Sequence, residues 1–262
     1  MPSIFHLSDL HFGPRFNQHL ADLVLQDIRA VQPDLVIVSG DWTMRGRISE
    51  YEQARDYLNK LPPPVFTIPG NHDQPLHPGG LWERLVRPWG RYKTFIRPET
   101  DSVWQGKGLF VIGLNDNHNV IPGGIWQPGQ VAWMNRELEA APPAACKILV
   151  MHHHLLWNGK LRPAGQYFPT KTLNRLAGHG VELVLNGHTH VPITRETAQG
   201  IVIAQSGTTM SGRTRHGHGN TFNRIDVGHD SIDVAICAYD STEDRFLVTS
   251  RTAFARKHKV VQ

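Results

Sequence analysis

The chain has 262 residues, of which 40% are hydrophobic and 19% are charged, and its formal net charge is +4. This composition excludes a disordered or low-complexity protein and predicts one folded domain across residues 1–262. No apolar run reaches the ~18 residues of a membrane-spanning helix, so we expect no membrane partner. The basic residues form no dense stripe, so we expect no nucleic-acid partner either.

The first half of the chain alternates between predicted strands and predicted helices, and residues 87–101 are expected to be irregular. Residues 34–39 form a β-branched run that is typical of a strand buried on both faces. The βαβ alternation favours a parallel sheet with helices packed on its outside. The predicted strands are Ser3–Ser8, Asp34–Ser39 and Val65–Ile68, and the predicted helices are Phe16–Ala30, Ile48–Leu61 and Gly80–Val86.

The second half begins with a predicted hairpin and two helix–strand units. After His190 the apolar residues alternate as in antiparallel strands, and the segment 240–262 is expected to be a peripheral strand with a basic tail. Together these elements predict an α/β fold, a four-layer αββα sandwich of two mixed sheets flanked by helices. The predicted helices are Gln130–Glu139 and Lys171–Ala177, and the predicted strands are Ser102–Gln105, Leu109–Leu114, Lys147–Met151, Val181–Leu185, Ile193–Thr197, Ile201–Ala204, Asn220–Val227, Ser231–Tyr239 and Phe246–Ser250.

Sixteen histidines are a high number for this length, and several lie in polar clusters directly after predicted strands. Asp9 and His11 end the first strand, where alternate residues share a face and can grip one ion. Asp41 follows the second strand, about one βαβ unit later. Because the carboxyl ends of parallel strands lie together, we expect Asp41 beside this pair, bridging two cations with its two oxygens.

The third cluster, Asn71-His72-Asp73, follows the strand that ends at Ile68. The amide oxygen of Asn71 is a neutral ligand, which limits the negative charge gathered around the ions. His72 would face the metals without binding one. Asp73 would orient the His72 ring, as carboxylates commonly do for functional histidines.

Two more histidine clusters follow later strands. From the residues alone, the choice among three consecutive histidine rings stays open. All five clusters lie at the carboxyl ends of strands, which predicts one composite metal site. Nitrogen and oxygen ligands without a thiolate suit Mn, Fe, Zn or Co ions. The members are His152, His153 and His154 after Lys147–Met151, and His188 and His190 after Val181–Leu185.

In this order the motifs D-x-H, G-D, G-N-H-D, H and G-H-x-H resemble the signature of the calcineurin-like metallophosphoesterases, over roughly residues 3–225. The resemblance implies the αββα fold, two metal ions, and hydrolysis of phosphodiesters by a metal-activated hydroxide. It also implies that His72 contacts the phosphate. Our mechanistic hypothesis is that His72 stabilises the phosphate or protonates the leaving group. The implied ligands of one ion are Asp9, His11, Asp41 and His190, and those of the other are Asp41, Asn71, His153 and His188.

The fourth motif departs from the family pattern, which continues as H-x-P, because Leu155 stands at the proline position here. Alignment on that position makes His153 the ligand and leaves His152 as an alternative ligand or a substrate-binding residue. In the loop after Ser206-Gly207-Thr208, Arg213 could bind a phosphate through its planar guanidinium, with a solvated loop as the alternative. Further side chains that could stack on a base are Trp126, Trp157 and Tyr167.

Within the superfamily, the compact length, the G-N-H-D form and the Ser-Gly-Thr stretch resemble the class III cyclic nucleotide phosphodiesterases. This resemblance implies 3′,5′-cyclic nucleotides as substrates. A generalist enzyme for other small phosphoesters, such as glycerophosphodiesters, is the first alternative, and a non-catalytic metal-binding scaffold is the second. The expected partner is a small-molecule phosphoester, and the expected assembly is a homo-oligomer. Cys146 and Cys237 lie in strand-like segments, which predicts free thiols and a cytoplasmic location.

Overall fold

The computed structural model describes residues 1–62, 64–121, 123–156 and 165–256. Its helices are α1 (Gln18–Val31), α2 (Ile48–Leu58), α3 (Leu81–Val86), α4 (Gly90–Phe95), α5 (Pro128–Ala140) and α6 (Pro169–Gly178). Its strands are β1 (Ser3–Leu7), β2 (Leu35–Val38), β3 (Val65–Thr67), β4 (Ser102–Gly106), β5 (Leu109–Gly113), β6 (Cys146–Val150), β7 (Val181–Asn186), β8 (Ile193–Glu196), β9 (Val202–Gln205), β10 (Thr221–Val227), β11 (Ser231–Asp240) and β12 (Arg245–Ala255).

The described strands form two six-stranded sheets, with the orders β12-β11-β10-β1-β2-β3 and β4-β5-β6-β7-β9-β8. In the first sheet β1, β2 and β3 are parallel, whereas β10, β11 and β12 are antiparallel to their neighbours. In the second sheet β5, β6, β7 and β9 are parallel, and β4 and β8 run antiparallel at the edges. Both sheets are therefore mixed.

Alternate residues of β2 show how the layers are held together. Ile37 packs between the two sheets with side chains such as Ile148 of β6. Val36 and Val38 point the other way and pack against α1 and α2. The outer face of the second sheet is covered by α5 and α6 in the same manner. Burying one such side chain contributes about 1.5–3 kcal/mol, so a strand that is apolar on both faces belongs in the middle of this sandwich. The predicted αββα fold is confirmed.

Two details of the middle of the chain differ from the sequence prediction. The chain expected to be irregular contains α4, a six-residue helix too short to show a periodic pattern, which buries Tyr92. The antiparallel pattern predicted after His190 is wrong for β9, which pairs parallel with β7 and antiparallel only with β8. Apolar alternation reveals which face is buried, but it does not reveal the direction of the neighbouring strand.

The C-terminal segment is a peripheral strand, as expected, but β12 is longer than predicted and includes Arg251 of the expected basic tail. Arg256 turns back and donates two hydrogen bonds of 2.9 and 2.8 Å to the Glu182 carboxylate on β7. Lys257 and Lys259 lie outside the described residues. Among the residues that are described, no helix is both long enough and apolar enough to cross a bilayer.

The parallel strands place the functional loops at one edge of the sandwich. Leu7, Val38 and Thr67, at the carboxyl ends of β1, β2 and β3, are paired in one row. Val150 and Leu185 are paired in the same way near the ends of β6 and β7. The loops that follow these five strands therefore meet, and they carry the five polar clusters seen in the sequence.

Candidate metal centre

The candidate ligands lie in loops with an unusual backbone conformation. Positive φ angles of 53°, 50° and 55° occur at Asp9, His11 and Asp41, and of 73° and 61° at His188 and His190. Non-glycine residues rarely adopt such angles, and they cluster at functional sites. Because β1 ends at Leu7, Asp9 and His11 are brought together by this loop geometry and not, as the sequence suggested, by the pleat of a strand.

The first cluster consists of Asp9, His11 and His190. The Nε2 atoms of the two histidines are 3.1 Å apart. Oδ1 of Asp9 lies 3.0 Å from Nε2 of His190 and 3.7 Å from Nε2 of His11, and this oxygen is buried without a hydrogen-bond partner. On the outer side, the Nδ1 atoms of His11 and His190 face the carbonyls of Thr43 and Arg213 at 3.2 and 2.5 Å. These carbonyls favour the tautomer that leaves the Nε2 lone pairs facing the cluster.

The second cluster consists of Asn71, His152 and His188. Nε2 of His152 and Nδ1 of His188 each lie 3.1 Å from Oδ1 of Asn71 and 3.3 Å from each other. The other ring nitrogen of His152 faces the Ser39 carbonyl at 2.8 Å, which directs Nε2 into the cluster. The His152 ring thus lies among the same ligand atoms that the sequence assigned to one ion.

His153 lies beside this cluster with its polar atoms directed elsewhere. Its Nδ1 is 3.2 Å from Oδ1 of Asp116, and its Nε2 is buried without a hydrogen-bond partner. The Asp116 carboxylate also accepts the backbone N–H groups of His152 and His153 at 3.2 and 3.1 Å. This anchoring turns the His152 ring toward Asn71. The geometry favours His152, the alternative that the sequence left open, over His153 as the ligand.

Asp41 lies between the two clusters. Its Oδ2 is 3.6 Å from Nε2 of His11, and its Oδ1 is 3.4 Å from Nε2 of His152. Oδ1 also accepts a 2.8 Å hydrogen bond from the His72 backbone N–H, which fixes the carboxylate. Asp41 can therefore offer one oxygen to each cluster.

The electrostatics of the two clusters favour positive charge. Burial raises the pKa of Asp9 and Asp41, but neighbouring histidines outweigh it, mainly His190 for Asp9 and His152 for Asp41, and hold both carboxyls well below their usual range. Burial alone would lower the pKa of His152, yet Asp41 and the more distant Asp9 raise it to about 10. Ionised carboxylates are ready to bind a cation, whereas His152 must give up its proton to do so.

Taken together, the donor atoms fit two metal ions. Groups of carboxylate and imidazole ligand atoms lie within 4.8 Å of one another at Asp9–His11–His190, at Asp9–Asp41–His152 and at His11–Asp41–His72. An unpartnered carboxylate oxygen beside two facing imidazole nitrogens is costly unless a cation is shared among them. Oxygen and nitrogen donors without thiolate suit borderline divalent ions.

His72 and Arg213 meet at the open side of the centre. Nδ1 of His72 faces the Met44 carbonyl at 2.7 Å, and its Nε2 lies 3.0 Å from Nη1 of Arg213. The same Nη1 is 3.4 Å from Nε2 of His11, so Arg213 reaches the first cluster. Burial lowers the pKa of His72, against the opposing charge of Asp41. A neutral ring with its proton on Nδ1 accounts for both contacts, because Arg213 can only donate.

Asp73 does not orient His72, contrary to the sequence prediction. Its carboxylate instead accepts the backbone N–H groups of Trp42, Thr43 and Gly70 at 3.2, 2.8 and 2.8 Å. Burial and the nearby Asp41 raise the pKa of Asp73 to about 7, although these N–H groups oppose the shift. Asp73 therefore braces the loops after β2 and β3, and the ring of His72 takes its orientation from the Met44 carbonyl.

Asp116 is the residue that sequence reasoning missed. It follows the predicted strand Leu109–Leu114 and precedes His118 by two residues, which is the D-x-H spacing of Asp9 and His11, so the sequence carried a usable signal. His118 itself turns away, because its Nδ1 faces the backbone N–H groups of Val120 and Ile121 at 3.1 and 3.0 Å. Two expected stacking residues, Trp126 and Tyr167, line a separate cavity of about 230 Å³ beside α6, and Trp157 lies outside the described residues.

Two cavities border the centre. A groove of about 760 Å³ opens beside His72 and Arg213. A smaller cavity of about 150 Å³ lies on the other side and is lined by Asn71, His153 and His188 together with more distant residues. A ligand at the centre therefore has room on both sides.

Two sequence relatives and a family model relate the chain to known proteins. A family model described as calcineurin-like phosphoesterase matches residues 2–192. A probable cyclic nucleotide phosphodiesterase of Synechococcus sp. is 31% identical over 174 residues, which cover 65% of this chain and 63% of that protein. A probable glycerophosphodiester phosphodiesterase of Arcobacter nitrofigilis is 30% identical over 124 residues, which cover 47% of this chain and 42% of that protein. The chain thus aligns with less than two thirds of the length of either relative.

A solved structure resembles the chain over almost its full length. The purple acid phosphatase from yellow lupin (Lupinus luteus) seeds superposes with a TM-score of 0.71, covering 98% of this chain and 54% of that one. The two sequences are 13% identical, so this likeness concerns the fold.

Proposed function

The chain belongs to the calcineurin-like phosphoesterase family, and we propose that it hydrolyses small phosphodiesters at a binuclear metal centre. The observation that carries the proposal is the position of Asp41, which directs one oxygen toward each of two ligand clusters. Two cations held there would lower the pKa of a water between them and neutralise charge on the phosphoryl oxygens.

The proposed ligands of one ion are Asp9, His11, Asp41 and His190. For the other ion we propose Asp41, Asn71, His152 and His188, with His152 in the place first assigned to His153. The contacts of 3.1–3.4 Å that Nε2 of His152 makes with Asn71, His188 and Asp41 support this change. Manganese or iron are the ions we propose first, and the mixed oxygen and nitrogen donors also suit zinc or cobalt.

His72 and Arg213 are proposed to act on the phosphate. Nη1 of Arg213 and Nε2 of His72 lie 3.0 Å apart at the mouth of the groove. A phosphoryl oxygen arriving there can take the place of Nε2 as the acceptor of the guanidinium proton, which is a charge-assisted hydrogen bond. Nε2 of His72 is then free to take up a proton from solvent and to give that proton to the leaving oxygen, a role that typically contributes a factor of ~10²–10⁴ in rate.

Cyclic nucleotides are the first substrates we propose, and glycerophosphodiesters are the second. The names of the two relatives support these classes, and a groove of about 760 Å³ has the size of a small-molecule site. We also propose a cytoplasmic location, which the two buried free thiols support. A homo-oligomer is part of the proposal, and the exposed apolar side chains of Leu81 and Trp82 on α3 offer a surface for it.

The test is kcat/KM for 3′,5′-cyclic AMP and for bis(4-nitrophenyl) phosphate, measured with Mn²⁺ supplied. The Asp41→Ala variant removes the shared carboxylate, and Asp34→Ala is its control at the opposite end of β2. Turnover that is lost only in Asp41→Ala supports the proposal. The ratio of kcat/KM for the two substrates decides between a cyclic nucleotide enzyme and a generalist phosphodiesterase. Tight metal binding without turnover of either substrate would refute the proposal and would indicate a non-catalytic metal-binding scaffold instead.

A further inference from the structure

The groove beside His72 is strongly cationic. Its wall contains four arginines that come from three separate loops, and Met44, Leu76 and Pro14 supply the apolar part of the wall. The opposite cavity of about 150 Å³ is smaller and is lined mainly by apolar and imidazole groups with Arg84. The arginines of the groove are Arg15 after β1, Arg45 and Arg47 after β2, and Arg213 after β9.

The positive charge of this groove exceeds the negative charge that carboxylates supply in its wall within the described residues. The arginine ion pairs that the structure contains involve other guanidiniums, such as those of Arg91 and Arg224. Glu50 also lines the groove, but its Oε2 accepts the backbone N–H groups of Arg45 and Arg47 at 2.7 and 3.2 Å. Glu50 therefore holds the loop before α2, while the side chains of Arg45 and Arg47 remain exposed to solvent.

A single phosphodiester does not need this many cations. It carries one negative charge, and the proposed metal ions together with Arg213 already face that charge. Arg15, Arg45 and Arg47 line the same groove, and among the described residues their side chains make none of the contacts with His11 and His72 that Arg213 makes. They are therefore available to a substituent of the diester. Guanidinium groups bind phosphate through paired hydrogen bonds, and a cluster of them on one wall favours a dianionic group over a neutral alcohol or nucleoside.

We propose that the preferred substrate is a small phosphodiester with a second phosphate group on one substituent, and that Arg15, Arg45 and Arg47 bind this second phosphate. The inference rests on the proposed function, because it places the scissile diester at the metal centre. The neutral or apolar substituent then occupies the smaller cavity next to Leu76, Val120 and Ile121. The groove thus distinguishes substrates by the charge of the group beyond the scissile bond.

The test uses two substrates that differ only in this second phosphate. Thymidine 5′-(4-nitrophenyl phosphate) and its 3′-phosphorylated counterpart release the same nitrophenolate from the same diester. With the Mn²⁺-loaded full-length protein at low salt, we expect kcat/KM to be roughly tenfold to a hundredfold higher for the 3′-phosphorylated substrate. The ratio should fall as the salt concentration rises, because exposed charges are screened.

The matched variants are Arg15→Gln/Arg47→Gln and Arg251→Gln. The double variant should lower the ratio of the two kcat/KM values at least about fivefold, whereas Arg251→Gln, on the edge strand β12, should keep it. Equal kcat/KM for the two substrates in the unmodified protein would overturn the inference and leave the proposed function standing. No nitrophenolate from either substrate would overturn the proposed function and the inference with it. A steady rise of kcat/KM with the length of an oligonucleotide would replace the small substrate with a nucleic-acid strand.

Discussion

Removing one histidine ring at a time decides which residue of the His152-His153 pair binds metal. Both side chains are buried, with 0% and 1% of their surface exposed, so either truncation to alanine leaves a hole of the same size. A difference in metal affinity between His152→Ala and His153→Ala is the informative quantity, because the stability cost of equal truncations depends on how far each site collapses. It reports what each ring touches.

The expected magnitude follows from the contacts of each ring. Nε2 of His152 lies within 3.4 Å of ligand atoms from Asn71, His188 and Asp41, whereas the nearest partner of the His153 ring is Asp116. Changing a residue that only supports a ligand typically costs 10–100-fold in metal affinity. We therefore expect His152→Ala to weaken one ion by more than about a hundredfold, or about 2.7 kcal/mol, and His153→Ala by less than about tenfold.

The assay is the metal content of each variant after dialysis, followed by calorimetric titration with Mn²⁺. His152→Ala should retain one ion per chain, because Asp9, His11 and His190 are untouched. His153→Ala should retain two. If His153→Ala loses an ion while His152→Ala keeps both, the ligand assignment drawn from this geometry is refuted and the family alignment on Leu155 is the better guide.

Three further predictions concern the same centre. Mn²⁺ at a hundred times its Kd should stabilise the fold by about 2.7 kcal/mol and raise Tm by about 5–10 °C in a thermal scan, and an unchanged Tm would contradict tight binding by the folded state. His72→Ala should lower kcat by ~10²–10⁴ while both ions remain bound, and loss of the ions would make His72 a ligand. Gly70→Ala should lower metal content and cost about 1–3 kcal/mol of unfolding free energy, because its Cβ would lie 2.2 Å from Oδ1 of Asp41. Gly129→Ala, in the first turn of α5 where a Cβ meets nothing within 4 Å, should keep the metal content and should raise the unfolding free energy by at most about 1 kcal/mol.

The sequence was sufficient to predict that the candidate residues cluster, because its motifs follow strands whose buried pattern is easy to recognise. Asp41 follows the apolar run of β2, and parallel pairing of β2 with β1 then brings it next to Asp9. The orientation of each ring was not predictable, since it depends on backbone carbonyls that no motif encodes. His11 is turned by the carbonyl of Thr43, and His190 by that of Arg213.

The error about Asp73 has the same origin. A carboxylate next to a functional histidine in sequence suggests a direct contact, but the 3₁₀ turn over Asn71–Asp73 directs the two side chains apart. The Asp73 oxygens then meet N–H groups of Trp42 and Thr43, about thirty residues away in the chain. Likewise, Asp116 reaches His152 across a gap of 36 residues, which only the parallel pairing of β5 with β6 closes. The side chains that support a site are therefore determined by contacts in the folded chain and not by proximity in the sequence.

The glycines of the motifs have a steric reason that joins these observations. A Cβ at Gly187 would lie 1.9 Å from Oγ of Ser8 and 2.4 Å from Oδ2 of Asp9, and a Cβ at Gly70 would lie 2.3 Å from the backbone nitrogen of Asp41. No side chain fits at either position. The backbone at Gly187, after β7, therefore packs against Asp9, after β1, and the backbone at Gly70, after β3, packs against Asp41, after β2. Without glycine at these contacts, the two clusters could not approach closely enough for Asp41 to face both. The G-N-H-D and G-H-x-H motifs therefore encode the spacing of the candidate centre as well as its proposed ligands.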